Sequence, residues 1–432
     1  MNTLFRIAIR NLVANKRRTL LLGGAVAVVT AILVLLSSIS NGMQANMLRV
    51  ATTLSSGHVN VAGFYKLTSS DSTPMVVGFP KILKVLREAD IGATNIVVRG
   101  RGWGKLISDV ASQQGVLVGV DVENERGFRD VVQVVSGDID KLTEPNAAMI
   151  FEKQAKRLEI KVGDDVTLTA PTARGVNNTV DVRVQVIAKD MGMTSSFSMF
   201  FNNKALRKLY QMRDDQTGAL HIFLDDHERS DDVAAKVRKV LGEAGYTLMD
   251  PVPQPFFRKF QSVRREDWTG QRIDVTTWSD EMQFMRMTLQ TFQLLTVVFV
   301  GVMLAIIAMG VMNTMLMTIR ERTREIGTLR AIGMARKWVL GMFIIEAATL
   351  AFSATACGSL LGAMGVAVLN AAKIPVNEAF QMFVMSDTMK LLLDVPVALL
   401  AIVVIGTMTT IAAIPPSWRA ARQPPVTAIQ HV

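Results

Sequence analysis

The chain has 432 residues, 50% of them hydrophobic and 6% aromatic, with a single cysteine and four histidines. That apolar fraction excludes a disordered chain, and one cysteine excludes a disulfide framework or a cysteine-built zinc site within one chain. The formal net charge of +10 admits nucleic acid or a membrane surface as partner, so the positions of the charges decide.

Residues 1–18 carry Arg6, Arg10, Lys16, Arg17 and Arg18 with no acid. The next charge is Arg49, and the stretch LLLGGAVAVVTAILVLLSSI between them is long enough to cross a bilayer core of about 30 Å. A signal peptide also starts basic, but it has a shorter apolar core followed by a small-x-small cleavage site. The exit SSISNGMQANM offers no such site. Residues 19–42 therefore read as a first transmembrane helix.

Residues 43–286 show mixed α and β patterning. Lys81–Ala89 has helical spacing after Pro80, while Ile96–Val98 and Val116–Val120 read as strands. Over about 131–215 the strands shorten. Val162–Ala170 and Val180–Ala188, joined by PTARGVNN, predict a hairpin in an inserted β subdomain. Ala219–Leu224 reads as a strand, Ser230 as the N-cap of a helix over Asp231–Leu241 ended by Gly242, and Tyr246–Met249 as a returning strand. The expectation is an α/β part over about 43–130 and 216–250, one small sheet with helices on one face. Residues 251–286 are expected to be connector and stalk.

Residues 287–319 are uncharged and would run to about 50 Å as a helix at 1.5 Å per residue, so this second span should project as part of the stalk. A basic loop at 320–337 precedes a third span at 338–372, whose one charge is Glu346. A short loop at 373–394, a fourth span at 395–416 and a tail at 417–432 complete the chain. Lys and Arg near the span ends put both termini and 320–337 in the cytoplasm, and 43–286 and 373–394 outside. The charges of 43–286 nearly cancel. The excess positive charge is thus an orientation signal, and nucleic acid is not expected as a partner. The predicted fold is an α+β membrane protein, with four transmembrane helices and a large mixed α/β domain inserted between the first two.

No catalytic motif occurs: HExxH, GxSxG and GxxxxGK[ST] are all missing. Gly100-Arg101-Gly102-Trp103-Gly104-Lys105 resembles a phosphate loop only loosely and reads as a turn or bulge. The acidic run around Asp225, Asp226, His227, Glu228, Asp231 and Asp232 reads as helix caps and solvated loop rather than a calcium site. No metal site, cofactor or enzymatic activity is expected on this chain. The informative segment is IRERTREIGTLR, Ile319–Arg330. Orientation needs only positive charge there, yet Glu321 and Glu325 stand four apart on one helical face, with Arg322 and Arg324 in reach of them. Gly327 and Gly333 follow as expected helix breaks. Such a segment suits docking to a partner: Arg320, Glu321, Arg322, Arg324, Glu325, Gly327, Arg330 and Gly333 are the candidate coupling residues.

The run IRERTREIGTLRAIGM resembles the signature of the FtsX-like permeases of ABC systems, the type that includes MacB and the lipoprotein-release permeases LolC and LolE. IAIRNLVANKRRTLLL is similar to the leading helix and first span of that family, and IPPSWRAARQPPVTAIQ to its tail, with Ser417-Trp418 as a departure. SSGHVNVAGF, VLVGVDVENE and KRLEIKVGDDVTLTAPTA resemble the Lol branch in particular. The resemblance implies a multi-pass protein of the bacterial inner membrane with a periplasmic domain, working as a homo- or heterodimer with two copies of a cytoplasmic ATPase that binds the ATP and Mg. With 18 residues ahead of the first span, the ATPase is expected in trans. The implied activity is extraction or export of a lipophilic cargo, most simply lipoprotein release. Alternatives are MacB-like efflux of amphiphilic drugs or peptides, or an FtsX-like module activating a cell-wall hydrolase. In the Lol branch a hairpin recruits a periplasmic carrier, and its cognate here would use Pro171, Arg174 and Asn177.

The 25 methionines fit a lipophilic cargo, because the thioether adapts to irregular apolar shapes; packing against lipid or other spans uses them equally well. Met282, Met285, Met303, Met191, Phe197 and Phe200 are the candidate cargo surface. Glu346 is expected to face the bundle interior as an anchor to the coupling loop. Gly23, Ala27 and Ala31, with Ala354, Gly358 and Gly362, predict close helix packing, within one chain or between two.

Overall fold

The computed structural model describes residues 5–6, 10, 12–14, 16–68, 72–172, 175–377, 381 and 384–422, and the side chains of Arg18, Arg126, Met193, Phe257, Phe284 and Met285 lie outside that description. Two compact units result. One comprises Met1–Gln44, Leu289–Pro375 and Thr388–Val432, the other Ala45–Thr288 and Val376–Asp387.

The first unit is helical. Among the described residues four helices are long and apolar enough to cross a membrane: Thr19–Ser56, Arg286–Glu321, Arg336–Ala372 and Val395–Ala421. Asp394 caps the last, accepting from the Val397 N–H at 3.4 Å, with Pro396 in the first turn. Lys373 ends the third in a left-handed conformation. The small-residue ridge settles where the third helix packs. A Cβ on Gly358 would overlap the Ala27 backbone, one on Gly362 would lie 2.8 Å from Val34 Cβ, and one on Gly365 3.1 Å from Leu35 Cδ2. The close approach of the first and third spans is therefore made within one chain. Thr30 and Thr355 satisfy their buried hydroxyls inside their own helices, donating to Val26 O at 2.8 Å and Ala351 O at 2.9 Å.

Among the described residues the second unit holds two main sheets, besides a two-stranded pair of Val76–Val77 with Gln216–Thr217. In the smaller, Gly270–Thr277, Val59–Lys66, Ala219–Phe223 and Asn95–Arg99 pair antiparallel in that order. Alternation puts Val59, Val61, Leu220, Ile222, Ile273 and Val275 on one face, against Ile82 and Leu86 of helix Phe79–Glu88 and Val233, Val237 and Leu241 of helix Ser230–Glu243. Two expectations change here. Gly270–Thr277 is no connector: it pairs with Val59–Lys66 along its whole length, and the charges of Arg272 and Asp274, which mask its strand pattern, face the other side. Tyr246–Met249 contributes only a bridge from Leu248 to Ile273, on the outer edge of Gly270–Thr277. Ser230 is the first helical residue rather than the cap. Its hydroxyl donates to His227 O, and Asp226 caps the preceding turn by accepting from Glu228 N at 2.9 Å.

The larger sheet orders Val134–Gly137, Asn177–Ala188, Ala147–Phe151, Ser198–Asn202, Ser112–Val120, Arg101–Ile107 and Asp165–Pro171. Asn177–Ala188 is long enough to pair a second time, with Asp165–Pro171, so six of the strands close into a barrel. A register shift at Ala148/Met149 bends the pairing with the long strand. Leu106, Leu117, Ile150, Leu168, Val182 and Phe201 are among the residues filling the interior. The β subdomain thus begins at Arg101 and not near 131. Val116–Val120, expected in the α/β part, runs parallel to Ser198–Asn202.

The loop expected at 373–394 is partly built into the second unit. Asn46 Nδ2 donates to Val384 O at 2.6 Å and Met385 O at 3.1 Å, and Lys189 pairs with Asp387 at 2.8 Å.

Candidate coupling site

Helix Gln283–Glu321 ends at Arg322, whose φ of −103° and ψ of 13° break the helix before Thr323–Ala331 begins. Gly333, at φ +102°, ends the short helix in a conformation that favours glycine. Gly327 was expected to break it as well. It lies instead inside the helix and is buried, since i→i+4 bonding continues through it and a small residue lets the helix sit close to its support.

Arg322 is the pivot of the site. Its Nε donates to Glu325 Oε2 at 2.9 Å and its Nη1 to Glu346 Oε2 at 3.3 Å, with the guanidinium 6.0 Å from the Phe343 ring centroid. Glu346, only 2% exposed in the third span, is thereby tied to the loop. A buried carboxylate in this setting is costly without a cation, and Arg322 supplies one from the break between helices.

The inward side of the short helix is apolar. Ile326 packs with Ile319, Val339, Met342, Phe343, Ala420 and Ala421. The tail takes part in this cluster. Ser417, the departure noted in the sequence, is fully buried, and its hydroxyl donates to Ala413 O at 2.6 Å. Trp418 is covered by Arg422 at 3.7 Å. The outward side exposes Glu321, Arg324, Glu325, Thr328 and Ile332, at helical spacing. Arg320 is exposed at the end of the preceding helix, and Arg330 turns back to donate to Met334 O at 3.2 Å. An 81% exposed Ile332 beside a 65% exposed Glu325 makes a surface with both apolar and charged handles. Ile332 and the half-exposed Trp338 are the members missed by a reading based on charge.

The cargo candidates fare differently. Met191, Phe200 and Met282 are buried; Ser198–Asn202 is an inner strand of the barrel, so Phe200 is core and cannot meet cargo. Phe197 is 55% exposed and Met303 half-buried. The side chain of Met285 lies outside the described residues. In the hairpin, Pro171 and Asn177 are paired partners at its end, and Arg174 lies outside the described residues. The glycine-rich run at 100–105 is neither turn nor phosphate loop. It passes from one sheet into the other, and a Cβ on Gly102 would overlap the Tyr210 ring. Among the described residues no group of acidic, histidine or cysteine side chains is placed to hold a metal ion.

Residues 297–425 match the FtsX-like permease C-terminal family. The chain carries an FtsX-like permease domain. MacB of Nitrobacter winogradskyi, described as a macrolide export ATP-binding/permease protein, is 38% identical over 28% of this chain and 16% of its own length. MacB of Bdellovibrio bacteriovorus is 36% identical over 22% and 14%. The ABC transporter permease YtrF of Bacillus subtilis is 28% identical over 41% of each chain. The chain spans no more than 41% of the length of any of these three. The periplasmic region of MacB from Actinobacillus actinomycetemcomitans aligns with 53% of this chain and 92% of its own at 10% identity, with a TM-score of 0.32; a likeness that loose carries no argument. None of these names singles out the lipoprotein-release branch expected from the sequence. What stands is a chain whose described residues include four helices long and apolar enough to cross a membrane, and of which residues 297–425 match the FtsX-like permease C-terminal family.

Proposed function

We propose that this chain is the membrane subunit of a bacterial inner-membrane ABC system, with residues 320–337 cytoplasmic and the inter-span domain periplasmic. A separate ATPase, present in two copies, docks on the outward side of helix Thr323–Ala331, and the permease works as a dimer. The observation that carries this reading is Arg322, which joins exposed Glu325 to buried Glu346. A load applied at the docking surface reaches the third span through hydrogen-bonded charges rather than through a solvated loop.

The cargo is lipophilic. The motifs resembling the Lol branch favour a lipidated protein, received by a periplasmic carrier; the names of the MacB relatives favour an amphiphilic drug or peptide instead. Affinity capture of the full chain from membranes in mild detergent should bring down an ATPase with Walker motifs. Capture without any ATPase would refute the reading. Depletion separates the cargos: lipidated proteins held in the inner membrane support release, and normal sorting with altered resistance to an amphiphile supports efflux.

A further inference from the structure

The smaller sheet has a second face, turned away from its helices, and that face is buried yet polar. Asn60, Arg99, His221, Asp274 and Thr276 all lie on it by alternation and are all buried. Three ion pairs gather there: Arg99 with Glu125 and Lys259 with Asp274, both buried, and the partly buried Arg101 with Glu281. Apolar packing of similar volume would be at least as stable as buried pairs. Stability alone does not account for them, and their positions suggest a use.

Arg99 ends strand Asn95–Arg99 and Arg101 begins strand Arg101–Ile107, so Gly100 alone separates sheet from barrel. Gly100 is held on both sides: its N–H donates to Asn203 Oδ1 at 2.7 Å and its carbonyl accepts from Gly119 N at 2.8 Å. A Cβ there would lie 2.7 Å from the Asn203 oxygen.

Each arginine holds the end of a helix that leads to a span. Arg99 Nη1 donates to Leu54 O at 3.0 Å and Nη2 to Thr53 O at 2.7 Å. Both carbonyls belong to Thr52–Ser56, the π-helical turn that follows helix Lys16–Ala51. Arg101 Nη2 donates to Glu281 Oε2 at 2.8 Å, and Glu281 ends the short helix just ahead of Gln283–Glu321. Burial would raise the Glu281 carboxyl, but the charge and hydrogen bond of Arg101, with the Phe256 N–H and the Thr276 hydroxyl, outweigh it and hold it below its ordinary value.

The two arms are not equivalent. Every guanidinium nitrogen of Arg99 has an acceptor, with Nε and Nη2 on Glu125. On the Arg101 arm, by contrast, Nη1 is buried without a hydrogen-bond partner among the described residues, as are Asn60 Oδ1 and both ring nitrogens of His221 on the same polar face. Rearranging the Arg99 arm only loses hydrogen bonds, whereas rearranging the Arg101 arm can gain them.

We propose that Arg99-Gly100-Arg101 is the positioning segment through which displacement of the two span-linked helices reaches the joint between sheet and barrel, Arg99 being the fixed arm and Arg101 the arm that shifts. This rests on the permease reading above. The test uses the full chain with Cys357→Ala, spin-labelled at Ala235→Cys on the sheet side and Val110→Cys on the barrel, in nanodiscs with its co-purified ATPase. Distance distributions are compared without nucleotide and with ATP plus vanadate. The parent should shift on trapping. Arg101→Ala should reduce the shifted population about tenfold while ATP is hydrolysed as before, and Arg101→Lys should restore most of it. Should Arg101→Ala fail to fold, Glu281→Gln, which keeps shape and removes charge, carries the same expectation. A full shift in either variant overturns the proposal, since a merely structural arginine would reduce yield without changing the shift. A parent that hydrolyses ATP without any shift also overturns it, and leaves the permease reading to the capture experiment.

Discussion

Reversing the charge of Glu325 separates a docking surface from a solvated helix. In the structure Glu325 is 65% exposed and pairs with Arg322, three residues earlier, at 2.9 Å. An exposed pair of this kind contributes about 0.3–0.5 kcal/mol, so replacing attraction with repulsion costs the fold on the order of 1 kcal/mol. Arg322 keeps Glu346 at 3.3 Å, and Ile326 keeps its apolar contacts. Glu325→Arg should therefore insert and fold, the more so because positive charge agrees with the expected orientation. Docking is another matter. A carboxylate desolvated against a partner cation costs about 2–5 kcal/mol when lost, or roughly 30-fold to 4,000-fold in affinity. The assay titrates the purified ATPase onto immobilised full-length permease in detergent, at low and moderate salt. Glu325→Gln should fall between parent and reversal. Binding of Glu325→Arg within about threefold of the parent, roughly 0.6 kcal/mol, would refute the reasoning and leave Glu325 a solvated residue.

Topology can be read with Cys357→Ala as background: Ala235→Cys, exposed on helix Ser230–Glu243, should react with an impermeant maleimide from outside, and Thr328→Cys should not. Gly358→Ala should destabilise the detergent-solubilised protein by about 1–3 kcal/mol through overlap with the Ala27 backbone, while Gly341→Ala, with open space around it, should be neutral or slightly stabilising in thermal melts. Burial, then the charges of Arg99 and Arg101, hold the His221 imidazole well below its ordinary value. Folding therefore favours its neutral form. Its contribution is present above the unfolded pKa of about 6.5 and is lost as pH falls below that, by up to about 1.4 kcal/mol per pH unit. His221→Leu should flatten this slope in thermal unfolding, and parallel slopes would contradict it. Lys259→Met should cost about 3–5 kcal/mol by stranding Asp274, whereas Lys259→Met with Asp274→Leu should recover most of that, as chemical denaturation can report.

Much of this protein is legible locally. The four spans follow from uncharged runs, because hydrocarbon selects on composition and length alone. The hairpin Asp165–Pro171 with Asn177–Ala188 follows from two β-patterned runs around a turn. In the coupling segment, charge spacing found Arg322 and Glu325 but not Ile332, because an exposed isoleucine looks like core until its surroundings are known. It found Glu346 but not its partner, since the two lie 24 residues apart in the chain.

The sequence by itself determined where the chain is apolar, where it turns and which segments are helical, all properties of a few consecutive residues. Only the tertiary structure decided which sheet receives Arg101–Val120, that Asn177–Ala188 pairs on both edges to close a barrel, and that Phe200 is core rather than cargo surface. It also decided that the glycines of the third span meet the first span of the same chain. Strand partners and helix neighbours are chosen by which long-range pairings satisfy every buried N–H and C=O group while filling the interior without overlap, and no window of sequence contains both members of such a pair.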